Sequence, residues 1–370
     1  MINVLSLVPY QFLPPKMGGQ KCIALGNKYL AKYLNLTCIT TENNINNEDV
    51  NYAVFNILSN SKLRYINVFY FFTIRNIVKK NRISHLIIEH PYYGWLAILL
   101  KFFCGIKLIV RSHNIESNRF KTIGKWWWKL LWHYEKTVHK NADLSLFITN
   151  EDLSFAQKNF NLHKKKCEVI TYGFELKEIP SEDLRKSAKL EIRNQHKITE
   201  NETIILFNGT LDYKPNLDAI DSILNFINPI LLKDTNFKYK IIICGKNLPS
   251  SYNNTNHTNI ILTGFVNDIG KYYLGSDIFI NPVIDGGGIK TKIVEALGYN
   301  LSLITTKSGS IGIPNDIIGN KMTVVNDTDW ITFADCIKKI DTSINTPTSY
   351  FEHFYWGNIA EKAASNIKSI

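Results

Sequence analysis

The chain has 370 residues, which at about 150 residues per domain implies two domains or three. Hydrophobic residues make up 45% and charged residues 20%, a globular balance that excludes disordered and collagen-like chains. The net charge of +11 belongs to the first half: residues 1–180 carry 24 Lys+Arg against 12 Asp+Glu, and residues 181–370 carry 19 against 20, so the first half attracts phosphates of nucleotides, nucleic acids or anionic membranes.

Residues 1–8 lack a basic start and run into Pro9, so they read as a first strand rather than a signal peptide. Short β-branched runs alternating with helical patterns predict βαβ units and parallel sheets. Strands are expected at 3–8, 36–41, 86–89, 107–111, 144–148 and 168–171, then at 203–208, 240–244, 260–263, 278–281, 303–306 and 323–325. The apolar run 94–104 is cut by Lys101 and too short to span a bilayer. Between the two series, the polar stretch 175–202 with Pro180 reads as a linker or hinge. The expected domains are therefore 1–174 and 203–348, each a doubly wound Rossmann-like α/β unit, facing each other across a cleft. Ligands of such sheets bind at the carboxyl ends of the strands. The tail 349–370 is helical in pattern, and either packs on the nearer domain or returns to the first. The six cysteines show no CxxC or zinc spacing and read as buried thiols of a reducing, cytoplasmic compartment.

The most informative stretch is 281–298, NPVIDGGGIKTKIVEALG. A strand ends in Gly286, Gly287 and Gly288, and a helix starts near Thr291. Glycines allow close backbone approach, and helix N-terminal amides hold anions. Lys290 and Lys292 oppose the helix dipole, a conflict that a bound diphosphate removes. Glu295, one turn in, is placed to accept hydrogen bonds from a ribose diol. Three more post-strand loops in the same domain supply donor-binding candidates. They are Gly209 with Lys214, Gly245 with Lys246, and Gly264-Phe265-Val266, the last framing a flat base. In the first domain, His113 follows a strand in the run Arg111-Ser112-His113-Asn114-Ile115-Glu116. A hydrogen-bonded structural histidine is the default reading for a lone His, and Arg111 and Glu116 pair with each other as readily as they touch a ligand. His90 is also post-strand.

These motifs, in this order and spacing, resemble the GT-B glycosyltransferases, specifically the GT4 group that uses nucleotide-sugar donors. The likeness covers 204–313, and in the first domain rests on Gly18-Gly19 and on His113. It implies that Glu295 holds the donor ribose and that Lys290, Lys292 and Lys214 neutralise the diphosphate. It further implies that Gly18 and Gly19 close over the donor, that His113 contacts the transferred sugar, and that transfer proceeds with retention. Gly287 stands where the family commonly has Glu, and Thr210 where it often has a basic residue. No Asp-x-Asp metal motif is evident, so protein cations are expected to replace a metal. No cofactor is expected beyond the nucleotide-sugar substrate. Rival readings are a GT-B nucleotide-sugar epimerase and a noncatalytic nucleotide-sugar-binding scaffold; no helix-turn-helix, RNP or zinc motif supports nucleic-acid binding.

The stretch 122–140, TIGKWWWKLLWHYEKTVHK, reads as one helix whose apolar face holds Ile123, Trp127, Leu130, Leu131, Tyr134 and Val138. Trp128 and Trp132 fall opposite, among Lys125 and Lys129, as on an interfacial membrane helix. The expected acceptor is a glycan or lipid-linked one at an anionic membrane surface, and the expected location is cytoplasmic, peripheral on the inner face of the membrane.

Overall fold

The computed structural model describes residues 1–45, 50–252 and 257–370. The chain divides into two compact units: Met1–Glu175 with Gly287–Ile289 and Trp356–Ile370, and Leu176–Gly286 with Lys290–Tyr355.

The first unit is built on seven strands: β1 (Asn3–Leu7), β2 (Asn35–Thr41), β3 (Ala53–Leu58), β4 (His85–Glu89), β5 (Lys107–Ser112), β6 (Leu144–Phe147) and β7 (Cys167–Val169). They pair in parallel in the order β3-β2-β1-β4-β5-β6-β7. Parallel neighbours need crossovers, supplied by α1 (Gly18–Leu30), α2 (Tyr70–Lys80), α3 (Gly94–Cys104), α4 (Glu116–Thr122), α5 (Trp128–Asn141) and α6 (Asn150–Asn159). Side chains alternate along each strand. Leu86 and Ile88 of β4 therefore join Ile74, Val78, Leu96 and Leu100 of α2 and α3 in one core, each fully buried side chain contributing about 1.5–3 kcal/mol. Ile87 and Glu89 face the other way. Strand β3 carries no expected signal because its side chains are mostly exposed; pairing with β2 at the sheet edge decides it.

The second unit holds β8 (Thr203–Thr210), β9 (Tyr239–Lys246), β10 (Ile260–Gly264), β11 (Ile278–Asn281), β12 (Ser302–Thr306) and β13 (Met322–Val325), in the parallel order β10-β9-β8-β11-β12-β13. Its helices are α7 (Glu182–His196), α8 (Lys214–Ser222), α9 (Asn228–Leu231), α10 (Ile269–Gly275), α11 (Thr291–Gly298), α12 (Trp330–Lys339) and α13 (Thr348–Phe354). The stretch 175–202 is thus more than a linker. Ser181 caps α7 by accepting from Leu184 N, and Ala188 and Ile192 are buried on the side that meets α10. Its apolar residues recur only once per turn among charges, which hid the helix.

The last helix, α14 (Trp356–Lys368), belongs to the first unit and lies along α1. Trp356 is buried against Gly173, where a Cβ would sit 2.4 Å from the indole, and its backbone N–H donates to Phe174 O at 3.0 Å. In each sheet the order reverses once, between β1 and β4 and between β8 and β11. Ligands of doubly wound sheets bind outside the carboxyl ends of the strands at such reversals.

Candidate functional site: two polar clusters at the strand reversals

In the second unit, β8 and β9 run further than expected, so Gly209 pairs with Gly245 and Thr210 with Lys246 inside the sheet. A Cβ on Gly245 would lie 2.0 Å from Gly209 O. Gly245 is therefore required by strand packing rather than by ligand approach, and Lys246 is a strand residue. Gly209 has a different constraint: its Cβ would meet Asn216 Nδ2 at 2.7 Å. Asn216 Nδ2 donates to Thr210 O at 2.9 Å, and Asn216 Oδ1 accepts from Lys292 Nζ at 2.8 Å. Lys292 Nζ also lies 4.3 Å from the centre of the Phe207 ring. Burial, reinforced by the neighbouring Lys290, brings the Lys292 ammonium down to about 7.

Lys290 is the residue just before α11, and no side chain caps that helix. Its Nζ donates to Gly286 O at 2.6 Å. Gly286 takes φ +90 and Gly288 φ +70, conformations that exclude most side chains. Two cations thus stand at the positive end of a helix dipole, an arrangement that favours an anion between them. Glu295 accepts from the buried Tyr273 hydroxyl at 3.2 Å, and that hydroxyl accepts from Asn208 Nδ2 at 2.9 Å. Burial and the Glu295 charge hold the Tyr273 hydroxyl far above its ordinary range. Tyr299 stacks on Tyr273 with centroids 5.3 Å apart.

The structure thus gathers Gly209, Gly286, Lys290, Lys292 and Glu295 around the β8/β11 reversal. Lys214 is not in the group: it is exposed and bonded to Asp218 Oδ2 at 2.8 Å. Gly264 ends edge strand β10, three places from β11, and Phe265 and Val266 follow it; Gly264 has φ +68, and Phe265 is exposed.

In the first unit, carboxyl ends of β1, β4 and β5 bring together Tyr10, Glu89, His90, Arg111 and His113. His113 Nε2 bonds Glu89 Oε2 at 2.7 Å, and Arg111 reaches Glu89 Oε1 at 3.3 Å. Burial pushes the Glu89 carboxyl up, but Arg111 and the His113 hydrogen bond outweigh it and hold it at about 2. Burial, then the adjacent His90, lowers His113 to about 4. His113 is therefore neutral near pH 7, with its proton on Nε2 facing an ionised carboxylate. Its Nδ1, which has no bonding partner among the described residues, is left as an acceptor for a hydroxyl.

His90 completes a second pair: Nδ1 bonds Glu116 Oε1 at 2.9 Å, and Nε2 meets Tyr10 OH at 2.9 Å. Glu116 also accepts from Tyr92 OH at 2.7 Å and from Arg119 at 3.1 Å. Arg111 and Glu116 thus do not pair with each other; each serves a different histidine–carboxylate couple. His90 has φ 65, a left-handed conformation tolerated where surroundings over-determine it. Below them, Glu135 of α5 accepts from the backbone N–H of Glu116 and Ser117 at 2.9 and 3.0 Å, closing the start of α4. Burial raises its carboxyl to about 7 against those hydrogen bonds.

Gly18 and Gly19, expected in a loop, are the first two residues of α1, after Met17 at its N-cap. Gln20 Oε1 accepts from the N–H of Lys16 and Met17 at 2.8 and 3.1 Å, fixing that turn. The supposed single helix 122–140 is two: Gly124, at φ +73, separates α4 from α5, and Lys125 precedes α5. The apolar face read across the break holds at Tyr134 and Val138, which pack in the core under α2 and α3, and fails at Ile123, which is 50% exposed, and at Leu130. Leu130 is 66% exposed and Trp126 83%, while the buried positions of α5 are Glu135, Val138 and His139. Trp132, assigned to the open face, packs edge-on against Phe160 within a core cluster. Trp128 lies under Lys121 and Lys129.

Asn208, Asn216 and Tyr273 in the second unit, and Tyr10, Glu89, Tyr92, Arg119 and Glu135 in the first, escaped assignment. The one local signal was Glu89, a carboxylate ending the otherwise apolar HLIIE strand.

A family model described as "Glycosyl transferases group 1" matches residues 202–342, and one described as "Glycosyltransferase Family 4" matches residues 31–178. A Klebsiella pneumoniae protein described as an uncharacterized 44.6 kDa protein in the cps region is 26% identical over 226 residues, covering 58% of this chain and 52% of that protein. The chain thus spans about half the length of the curated relative it matches. A glycosyltransferase structure from Rickettsia africae ESF-5 has a TM-score of 0.74 at 17% identity, covering 100% of this chain and 98% of that one. The Anabaena protein Alr3699/HepE, solved in complex with UDP, has a TM-score of 0.70 at 14% identity over 100% of both chains. Each unit carries a glycosyltransferase family match, and both sheets follow the two-domain α/β plan: the chain belongs to the GT4-like glycosyltransferases of GT-B fold.

Proposed function

We propose that this chain moves a sugar from a nucleoside-diphosphate sugar to a polysaccharide or lipid-linked acceptor, with retention at the anomeric carbon and without a divalent metal. The observation that carries the reading is the second-unit cluster, where Lys292, held by Asn216, joins Lys290 at the start of α11 with Glu295 one turn on. When the bond between the anomeric carbon and the phosphate oxygen breaks, negative charge grows on the leaving diphosphate. Lys290, Lys292 and the α11 amides stabilise that charge from fixed positions. The Glu295 carboxylate, braced by Tyr273, accepts from the ribose hydroxyls. His113, neutral and with Nδ1 available, accepts from a sugar hydroxyl. The UDP complex of the Anabaena protein supports the donor class, and the cps setting of the Klebsiella relative supports a polysaccharide product.

The test is a thermal-shift and calorimetric screen of the purified chain against UDP-, GDP- and ADP-sugars, followed by donor turnover. A stabilising donor and turnover abolished in Lys292→Ala and Glu295→Ala are expected. Binding of no nucleoside diphosphate, or unchanged turnover in both variants, would overturn the proposal. Release of a free epimerised sugar without any acceptor would replace it with the epimerase reading.

A further inference from the structure

Between residues 50 and 142 the sequence holds 15 Lys and Arg but only three acidic residues, Glu89, Glu116 and Glu135. All three are buried, at 1%, 0% and 0% exposure, and each is engaged inside the first unit. The surface made by this segment is therefore dominated by cations, the neighbouring carboxylates being Asp143, paired with Lys101 of α3 at 2.8 Å, and Glu42, which accepts from Asn60 N.

The same segment carries a cluster of exposed apolar residues. On α2 the outward positions run Phe69, Phe72, Asn76 and Lys80, one above another at helical spacing. Phe72 touches Phe71, Phe71 touches Phe103 of α3, and Phe103 touches Phe102, with centroids 5.2–5.5 Å apart. The row stays open to solvent: Phe69, Phe72, Phe102 and Phe103 are 72%, 60%, 81% and 56% exposed. Leu63 and Ile66, in the turn before α2, add 69% and 71%. Apolar surface of this extent marks a contact face rather than scattered exposure.

We propose that this α2–α3 face of the first unit docks on an anionic lipid bilayer, its phenylalanines entering the interface and Lys62, Lys79 and Lys80 meeting the headgroups. Charge complementarity selects the occupant. Lysine is depleted at protein–protein interfaces, but a net excess of lysines beside exposed aromatics is the composition of an interfacial membrane face. Among the described residues no helix is long and apolar enough to cross a membrane. The face differs from the Trp128 and Trp132 surface expected from the sequence, since Trp132 is committed to packing.

The experiment is flotation of the full chain with phosphatidylcholine vesicles and with mixed phosphatidylcholine–phosphatidylglycerol vesicles. The chain binds the mixed vesicles and binds neutral ones at least about tenfold less. The variant F69S/F72S/F102S/F103S, and separately K62E/K79E/K80E, lose at least about tenfold of that binding, while melting temperature and UDP-sugar thermal shift stay as in the parent. Three results overturn the docking surface: no binding to mixed vesicles, undiminished binding of the phenylalanine variant, or retention on nucleic acid that vesicles do not displace. A chain that floats with vesicles but binds no nucleotide sugar refutes the transferase reading and leaves the docking surface intact.

Discussion

The rings of His90 and His113 stack with centroids 4.4 Å apart and planes 21° from parallel, each clamped by its own carboxylate, Glu116 and Glu89. The two adjacent imidazoles are held in place because each ring nitrogen that faces a carboxylate is bonded to it. Glu89 is matched by Arg111, and Glu116 by Arg119.

Removing the Glu89 charge leaves the Arg111 guanidinium buried and unmatched. Glu89→Gln is expected to destabilise the first unit by about 3–5 kcal/mol, read as a fall in denaturant midpoint. The folded carboxyl sits at about 2, below an unfolded value of about 4.3. Its contribution is therefore present above pH ~4.3 and is lost as pH falls toward 2, amounting to about 3 kcal/mol. Between pH 4.3 and 2 the variant should lose stability less steeply than the parent; parallel acid-denaturation curves would refute the pairing.

Lys292 sits at about 7 in the free protein, and an anion beside it raises that value. Donor binding then takes up a proton above pH 7. Affinity for UDP is expected to be full below pH 7 and to fall by up to about tenfold per pH unit above it, until the bound-state value is passed. Calorimetry in two buffers of different ionisation enthalpy reads the proton uptake directly. Lys292→Arg, charged throughout, should flatten the profile.

Asn216 lies between Gly209 and Lys292. Gly209→Ala places a methyl 2.7 Å from Asn216 Nδ2, moving the amide that holds the ammonium. UDP affinity should fall about tenfold, by loss of about 1.4 kcal/mol of one charge-assisted hydrogen bond. The measurement is titration of Gly209→Ala beside Asn216→Ala. If the first binds like the parent and the second does not, the steric link is wrong.

Glu135 closes α4 with both carboxylate oxygens. Glu135→Gln puts an amide N–H₂ where an acceptor is needed and should cost about 1–3 kcal/mol. The folded carboxyl at about 7 lies above the unfolded value of about 4.3, so burial of this group favours stability below pH ~4.3 and loses that contribution as pH rises through 7. Between pH 4.5 and 7 the parent should lose stability relative to Glu135→Gln, a trend that chemical denaturation at fixed pH values resolves.

Twelve of the strands were legible because parallel strands buried on both faces leave continuous β-branched runs such as Ile241–Ile243 and Leu108–Val110. Helix α11 and its lysines were legible because Gly286–Gly288 mark the turn and the charges sit at fixed offsets from it. The β3 edge strand, helix α7 and the break at Gly124 were not. An edge strand has no clean alternation, a charged helix hides its narrow apolar stripe, and one glycine in a left-handed conformation separates Ile123 from the helix that carries Tyr134 and Val138.

What the sequence alone determined is the two-sheet α/β plan and the lysine–glutamate pattern of α11, both written in local spacing. Tertiary structure alone decided which side chains hold those residues in place. Asn216 meets Lys292, Tyr273 meets Glu295, and Glu89 meets His113, in each case across strands or helices remote in the chain. Such pairings follow from sheet order and register, and local periodicity carries no record of them.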